Sequence, residues 1–169
     1  MTTATEAAAP TTGTLPAAGT LRSALERIVP PGRVLDRALD RIAFASDASF
    51  YRLIPKAVVL TESVDEVAAL FRLARETKVP VTLRAAGTSL SGQAVTDGIL
   101  AEVARHWRTV KVEDGGRRFR AQPGVIGASV NAALRPYRTK MGPDPASINA
   151  CTTGGILSNN SSGMCCGVA

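Results

Sequence analysis

Aromatic residues and histidine are scarce in this 169-residue chain, and it has no long apolar run. Its seven aromatic side chains are too few for a surface that stacks nucleic-acid bases. The 20 basic residues are scattered, and only Arg117, Arg118 and Arg120 are grouped. We therefore expect a protein rich in surface arginine that has no nucleic-acid partner. No apolar run approaches the ~20 residues that a membrane-spanning helix needs, so we expect no integral membrane segment.

Cysteine is scarce as well, because Cys151, Cys165 and Cys166 are the only three. An odd number of cysteines, two of them adjacent, forms no disulfide framework and is typical of a reducing compartment. His106 is the only histidine and no CxxC pair occurs, so a metal site would have too few ligands. The N-terminus also lacks the basic start and apolar centre of a secretory signal. We expect a cytoplasmic protein, either free or peripheral to the inner membrane.

The composition of the chain changes after its first residues. Residues 1–19 are rich in Ala, Thr, Pro and Gly and carry one charge, Glu6, which predicts a disordered tail. Residues 20–169 are predicted to form one domain. Within it, Thr20 is predicted to cap a short helix that ends at Pro30, and residues 36–55 are predicted to be mostly irregular.

The pattern then becomes regular. Residues 57–60 form a short apolar run typical of a buried strand, and Ser63 with Glu66 forms a capping box that opens a helix to about Lys78. A second apolar strand is predicted over residues 79–83. Strand, helix and strand at this spacing predict a βαβ unit with parallel strands. The predicted apolar face of the helix consists of Val64, Val67, Phe71 and Ala74.

Short strands dominate the next part of the chain. They are predicted over residues 99–103, 110–112 and 119–122. Gly115 and Gly116 are predicted to form the turn between the last two strands, and a helix is predicted over residues 126–134. We therefore predict an α+β fold, built from βαβ units with a small mixed sheet.

A glycine-containing loop, residues 84–93, follows the second predicted strand without a break and reads Arg-Ala-Ala-Gly-Thr-Ser-Leu-Ser-Gly-Gln. Gly87 and Gly92 can adopt positive φ, so such a loop can turn several backbone amides to one side and bind an anion. A pyrophosphate has the right charge and size for it. Neither GxxxxGK[ST] nor a GxGxxG that opens a helix is present. By spacing alone, an ordinary loop rich in Gly and Ser fits equally well.

A second stretch rich in Gly, Ser and Asn lies near the end of the chain. Residues 142–147, Gly-Pro-Asp-Pro-Ala-Ser, are stiffened by two prolines. Residues 152–163 follow and include three serines, three glycines and two asparagines. Glycine lets the backbone lie against a flat ring, and Ser and Asn offer hydrogen bonds. Composition alone favours a flexible surface stretch over a binding segment.

Both stretches resemble one known family. Residues 84–93 resemble the pyrophosphate loop, written R-G-G-G-T-S-L-S-G-Q, of the FAD-binding domain shared by vanillyl-alcohol oxidase and p-cresol methylhydroxylase, with Ala85 and Ala86 in place of two glycines. The second stretch resembles the family's P-P-D-P-S-S and T-I-G-G-N-I-A-x-N-A-G-G at matching spacing. The resemblance covers residues 20–169. It implies the N-terminal lobe of a vanillyl-alcohol-oxidase-type FAD-binding domain, incomplete at its C-terminus.

The resemblance implies a bound FAD. We expect this FAD to be non-covalent, because His106 lies outside both loops. Arg84 is expected either to neutralise pyrophosphate charge or to pair with a nearby carboxylate. The residues of the first loop that are expected to bind FAD are Arg84, Ala86, Gly87, Thr88, Ser89, Leu90, Gly92 and Gln93. Those expected to contact the flavin ring and ribityl chain are Pro143, Asp144, Ser147, Thr153, Gly154, Gly155, Asn160 and Ser161.

The last residues of the chain resemble one branch of this family more than the others. Residues 159–167, Asn-Asn-Ser-Ser-Gly-Met-Cys-Cys-Gly, resemble the bacterial FAD-linked dehydrogenases of D-2-hydroxyacids such as D-lactate or D-2-hydroxyglutarate. This implies a small 2-hydroxyacid substrate, hydride transfer to flavin N5 and a separate electron acceptor. The alternatives are a glycolate oxidase-type FAD subunit and a truncated, non-catalytic remnant.

Catalytic groups are the part of such an enzyme that the chain lacks. Oxidation of a 2-hydroxyacid needs a base for the hydroxyl proton and a cation for the carboxylate, and the sequence shows no such pair. We expect the catalytic residues to lie beyond Ala169 and the chain alone to be inactive. Cys165 and Cys166 are expected to be structural thiols near the flavin.

Overall fold

Two sheets of unequal size organise residues 18–163, the part of the chain that the computed structural model describes. The helices are α1 (Ala18–Leu25), α2 (Ala38–Ala43), α3 (Val64–Thr77), α4 (Gly127–Leu134) and α5 (Thr153–Ser158). The strands are β1 (Val34–Leu35), β2 (Ala57–Leu60), β3 (Val81–Arg84), β4 (Ile99–Glu102), β5 (Val110–Glu113) and β6 (Arg118–Ala121). Among these described residues, no helix is both long and apolar enough to cross a membrane.

The larger sheet is mixed, with the strand order β1-β2-β4-β3. Strand β1 runs antiparallel to β2, while β2, β4 and β3 are parallel, with Ile99 of β4 opposite both Ala57 and Val81. The predicted βαβ unit is confirmed, but β4 lies between its two strands. The predicted strand over 99–103 therefore belongs to this sheet and not to the smaller one. Its continuous apolar run suits a central parallel strand that is buried on both faces.

Helix α3 begins as predicted, since the Ser63 hydroxyl accepts a 3.2 Å hydrogen bond from the Glu66 amide. The Glu66 carboxylate accepts from the amide of Glu62, at 2.8 Å. The predicted apolar face is wrong, because Leu70 and Leu73 are the residues buried against the sheet. The helix has two apolar stripes, and only the packing decides which one enters the core. The other stripe stays largely exposed, with Val64 71% and Phe71 46% accessible.

Several boundaries differ from those predicted. Helix α1 begins at Ala18, before the predicted cap, and the rest of the predicted tail lies outside the described residues. It ends at Leu25, whose carbonyl accepts further bonds from the amides of Ile28 and Val29 in a single turn. The segment predicted to be irregular contains β-bridge contacts and the six-residue helix α2. Strand β3 begins after Pro80, which has no N–H to donate to a ladder.

The smaller sheet is the hairpin of β5 and β6, in which Val110 pairs with Ala121 and Val112 with Phe119. Gly115 and Gly116 form its turn with φ of 61° and 87°, as predicted. The inner face of the hairpin packs on a second core with α4 and α5. The members of that core are Val125, Val130, Leu134, Met141, Cys151 and Ile156. The two adjacent cysteines, 165 and 166, lie outside the described residues.

The stretch from 152 onward is ordered by hydrogen bonds from distant segments. The amides of Thr153 and Gly154 donate to the carbonyls of Val125 and Pro123, at 2.8 and 3.0 Å. Composition alone favoured a flexible surface, and it missed helix α5 because these bonds come from residues about 30 positions earlier in the sequence. The fold therefore places the second glycine-rich stretch against the segment that follows β6.

A partly buried ion pair joins the turn before β1 to the start of α3. Arg33 donates to both Glu66 oxygens, at 2.9 and 2.6 Å, and these side chains are 17% and 16% exposed. Burial acts to raise the pKa of Glu66, but the bonds from Arg33 and the Glu62 amide outweigh it and hold the pKa below its ordinary value. A lowered pKa means that the pair stabilises the fold above the ordinary glutamate range, and that this contribution is lost as pH falls through the folded-state pKa.

We predict that Glu66→Gln lowers the free energy of unfolding at pH 7 by about 2 kcal/mol, because it removes a charged hydrogen-bond partner from a partly buried arginine. The loss should shrink as the pH falls below the ordinary glutamate range and should approach zero below the lowered folded-state pKa of Glu66, where the wild-type carboxyl is also neutral. Urea unfolding at several pH values measures it. Glu76→Gln, on the exposed side of the same helix, is the control. A loss that stays the same at all pH values would contradict the role of the ion pair.

Candidate functional site

A cleft of about 320 Å³ opens between the two sheets, where the parallel strands end. Leu83 lies at the end of β3, Val103 follows β4, and Val64 begins the helix that follows β2. Ligands of open α/β sheets bind at this carboxyl edge. The cleft is lined by Val64, Val67, Leu83, Ala85, Ala86, Gly87, Thr88, Ser89, Gln93, Ala94, Val103, Trp107, Pro123, Thr152, Gly154, Gly155, Ser158 and Asn159.

The glycine loop, defined here as residues 85–94, has the conformation that its sequence predicts. Gly87 and Gly92 have φ of 69° and 73°. Among the described residues, the backbone amides from 86 to 89 donate to no protein acceptor. Unpaired N–H groups beside a cleft form a concave site for an anion. The loop therefore offers several donors to a ligand from its cleft side.

Behind this loop lies the segment from 44 to 49, which we call the preceding loop. The Ala48 amide donates to the Gly87 carbonyl at 3.0 Å, and the Ala94 amide donates to Asp47 Oδ2 at 3.3 Å. Burial alone would raise the pKa of Asp47, but hydrogen bonds from Ser49 and Ala94, together with the charge of Arg84, hold it below its ordinary value. Asp47 is therefore ionised at neutral pH and accepts bonds from both loops.

Among the described residues, Arg84 bonds to backbone carbonyls and forms no salt bridge with a carboxylate, while its predicted effect on pyrophosphate charge stays a prediction. Its Nη1 donates to the backbone carbonyls of Phe44 and Ser46, at 3.1 and 2.9 Å, and its guanidinium lies 5.5 Å from the centre of the Phe44 ring. Burial lowers its pKa, while the charges of Asp47 and Glu102 act in the opposite direction. The side chain does not line the cleft.

The second glycine-rich stretch contributes the opposite wall. Gly154 cannot carry a side chain, because a Cβ there would lie 2.6 Å from Pro123 Cβ. Thr152 is 3% exposed, and its Oγ1 is the buried side-chain atom without a hydrogen-bond partner among the described residues. Although Thr152 precedes α5, its side chain makes no capping bond. A buried hydroxyl left unpaired in a cleft indicates that a ligand supplies its partner.

The neighbouring Thr153 has a different role. Its hydroxyl donates to the Gln122 carbonyl at 2.7 Å, which connects α5 to the end of β6. Sequence comparison assigned the cofactor contact to Thr153, but the structure leaves the hydroxyl of Thr152 available. The signal was present in the motif, because Thr152 occupies the position of the family's threonine in T-I-G-G.

The residues that the sequence predicts to bind FAD divide into three groups. Those in the cleft are Ala86, Gly87, Thr88, Ser89, Gln93, Gly154 and Gly155. Pro143 and Thr153 line a second hollow beside Met141 and Leu157. Arg84, Leu90, Gly92, Asp144, Ser147, Asn160 and Ser161 line neither cavity. Contacts of all three groups with FAD stay predictions.

The apolar end of the cleft was missed by the sequence analysis. It is formed by Val64, Val67, Val103, Trp107 and Pro123. The Trp107 indole is fixed by a 2.7 Å hydrogen bond from Nε1 to the Thr61 carbonyl. A tryptophan five residues after a buried strand was the available signal. This end suits an aromatic ring, since ring faces pack well on apolar side chains.

The described lining of the cleft offers groups that can bind a ligand but no acid–base groups. Among the described residues that line it there is no Asp, Glu, His, Lys, Arg or Cys. His106 lies outside it, with Nδ1 3.4 Å from Glu62 Oε1, and the described residues contain no cluster of His, Cys, Asp and Glu that could hold a metal. Unpaired amides, a free buried hydroxyl and an apolar end fit a dinucleotide cofactor such as FAD.

Comparison with known sequences agrees with this geometry. A family model described as "FAD binding domain" matches residues 55–169. The glycolate oxidase subunit GlcD of Escherichia coli is 36% identical over 146 residues, which are 85% of this chain and 29% of that protein. D-2-hydroxyglutarate dehydrogenase of Escherichia coli is 34% identical over 129 residues, 74% of this chain and 13% of that protein. The chain thus spans less than a third of the length of these relatives.

Solved structures share the fold. Alkyldihydroxyacetonephosphate synthase superimposes with a TM-score of 0.72 at 23% identity, covering 88% of this chain and 30% of its own. p-Cresol methylhydroxylase with bound substrate gives a TM-score of 0.68 at 12% identity, covering 85% of this chain and 29% of its own. The family model spans more than half of the chain, and the cleft has the features that FAD requires. The chain therefore belongs to the FAD-binding domain family, with the fold of p-cresol methylhydroxylase-type proteins.

Proposed function

We propose that the cleft binds FAD without a covalent bond and that the chain is the cofactor-binding N-terminal lobe of a flavin-dependent D-2-hydroxyacid dehydrogenase. One observation carries the proposal: the unpaired loop amides and the unpaired Thr152 hydroxyl face one cleft from two distant segments. Neither segment needs these donors for its own structure. A dinucleotide that spans the cleft would satisfy both.

The polar end is proposed to hold the pyrophosphate. The amides from 86 to 89 would donate to its oxygens, and hydrogen bonds to a charged acceptor are stronger than bonds between neutral groups. Thr152 would contribute its hydroxyl from the opposite wall. Gly155 leaves the backbone bare, because only Thr152 Oγ1 lies within 4 Å of the position its Cβ would take, so that a flat ring or a ribityl chain can approach it closely.

The apolar end is proposed to pack against an aromatic ring of the cofactor and to exclude water from it. Val64 is exposed on the helix surface but lines the cleft, so a bound ring would cover part of its side chain. Bound FAD supplies the hydride acceptor, a function that protein side chains do not provide. No covalent bond is expected, because none of the described residues that line the cleft is a His, Cys or Tyr.

The names of the relatives support the proposed substrate class. The similarity to D-2-hydroxyglutarate dehydrogenases supports oxidation of a D-2-hydroxyacid to the 2-oxoacid. D-lactate as a further substrate and a separate electron acceptor are part of the proposal. The similarity to the glycolate oxidase subunit supports a second candidate, in which the 2-hydroxyacid is glycolate. We also propose a cytoplasmic location, either free or peripheral to the inner membrane. In both cases this chain holds the cofactor and the proton acceptor comes from outside the described cleft.

A matched pair of threonine variants tests the site. We predict that Thr152→Val weakens FAD binding about tenfold, because the ligand loses a buried hydrogen bond, while the free energy of unfolding is unchanged or higher without the unpaired hydroxyl. Thr153→Val should lower the free energy of unfolding by about 1 kcal/mol, because the bond to Gln122 is lost. FAD titration by calorimetry and urea unfolding measure the two effects.

The two variants control each other, since they remove the same atom from adjacent residues. The reverse pattern, in which Thr153→Val weakens binding and Thr152→Val only destabilises the fold, would contradict the proposed site. Equal FAD affinity in wild type and Thr152→Val would show that the cofactor does not reach this wall.

A chimera tests the substrate class. We predict no dye reduction by the FAD-loaded chain with D-lactate, D-2-hydroxyglutarate or glycolate, because its described cleft has no base. A chimera in which the chain replaces the aligned 146 residues of the glycolate oxidase subunit should retain FAD and oxidise a 2-hydroxyacid. Turnover by the chain alone would place the complete active site within it. A chimera that holds FAD but oxidises no 2-hydroxyacid would contradict the substrate class.

A further inference from the structure

The glycine loop is held from behind by two charged residues that do not face the cleft. Arg84 ends β3, immediately before the loop, and Asp47 lies in the preceding loop. Arg84 donates to the carbonyls of Phe44 and Ser46, and Asp47 accepts from the Ala94 amide. We call Arg84, Asp47 and these hydrogen bonds the clasp. The clasp ties Arg84, which precedes the glycine loop, and Ala94, which ends it, to the preceding loop.

The position of the guanidinium shows which side of the loop it supports. A Cβ built on Gly87 would lie 2.7 Å from Arg84 Nη2 and 2.9 Å from Nε. The guanidinium therefore lies directly against the backbone of Gly87, on the side where a side chain would project. Gly87 is thus needed for two reasons, its positive φ and the space that Arg84 fills. The Gly87 carbonyl completes the arrangement by accepting from the Ala48 amide.

Part of the Arg84 guanidinium is also occupied. Its Nη1 donates to two carbonyls, and the guanidinium lies over the Phe44 ring. The guanidinium is partly buried, and the nearby carboxylates of Asp47 and Glu102 offset its charge. The described contacts of Arg84 are therefore with the preceding loop and with Gly87, and its side chain does not line the cleft.

We propose that Arg84 and Asp47 are positioning residues that fix the glycine loop in its anion-binding conformation before the cofactor arrives. This inference rests on the proposed FAD site and assigns the clasp a role that differs from direct phosphate binding. Because the residues that carry the unpaired amides already line the cleft, the cofactor bears less of the entropy cost of ordering them. Loss of either residue weakens binding through the loop and not through a lost contact with the ligand.

The test compares variants that keep or remove charge. Arg84→Lys keeps the positive charge but loses the planar fork and the stacking on Phe44, and Asp47→Asn removes the negative charge at nearly constant size. Arg52→Lys, an exposed arginine shortly after the preceding loop, is the control. FAD dissociation constants, thermal unfolding and hydrogen exchange of the hydrogen-bonded loop amides of Ser91, Gln93 and Ala94 without cofactor are measured for each variant and for the Arg84→Lys/Asp47→Asn double variant.

We expect each single variant to weaken FAD binding about tenfold, and the double variant to be no weaker than the singles, because both act through one clasp. Exchange of the loop amides should be faster in the cofactor-free variants than in wild type, at temperatures where all are folded. Arg52→Lys should match wild type in every measurement. If Asp47→Asn does not fold, Phe44→Leu, which removes the ring beside Arg84 but keeps both carbonyls, should give the same faster exchange.

Three results would overturn the proposal. Wild-type FAD affinity in Arg84→Lys would show that charge is the property required, as for a phosphate ligand. Additive losses in the double variant would show two independent contacts. Unchanged exchange of the loop amides would show that the clasp does not order the loop. A wild-type chain that binds no FAD would overturn the proposed function, and the exchange rates would then decide the clasp by themselves.

Discussion

Parallel pairing of β3 and β2 with the central strand β4 is the constraint on which the site depends. Parallel strands end at the same edge, so the glycine loop after β3, the Trp107 segment after β4 and the start of α3 after β2 all meet there. The second core then places α5 across from them. No one of these segments forms a binding site by itself. The cleft exists because the strand order brings three strand ends and one distant helix together.

The parts of the fold set by local chemistry were predictable from the sequence. The Ser63 cap, the Gly115–Gly116 turn and the positive φ of Gly87 each follow from one or two residues. The errors arose where distant contacts decide between local alternatives. Helix α3 has two apolar stripes, and the sheet selects the one with Leu70 and Leu73. The order of the stretch after residue 152 depends on carbonyls of 123 and 125, which no local pattern indicates.

The candidate site shows the same division between features that the local sequence predicts and features that distant contacts decide. Sequence similarity found the two loops, but it did not distinguish residues that face the cleft from residues that support it. Thr152 and Thr153 are adjacent and identical, yet one hydroxyl is unpaired and the other holds α5 to β6. Arg84 belongs to the motif and lies behind the loop. Supporting residues of this kind explain how a loop with so few internal hydrogen bonds keeps several amides directed at one space.

Trp107 allows the most direct test of the central claim, that FAD occupies this cleft. It is the single tryptophan of the chain and lines the cleft, and flavin absorption overlaps tryptophan emission. The measurement is a titration of Trp107 fluorescence with FAD, corrected with free tryptophan. We expect saturable quenching at one FAD per chain, reversed when the cofactor is removed by gel filtration. A decrease that never saturates and equals that of free tryptophan would contradict binding of FAD in this cleft.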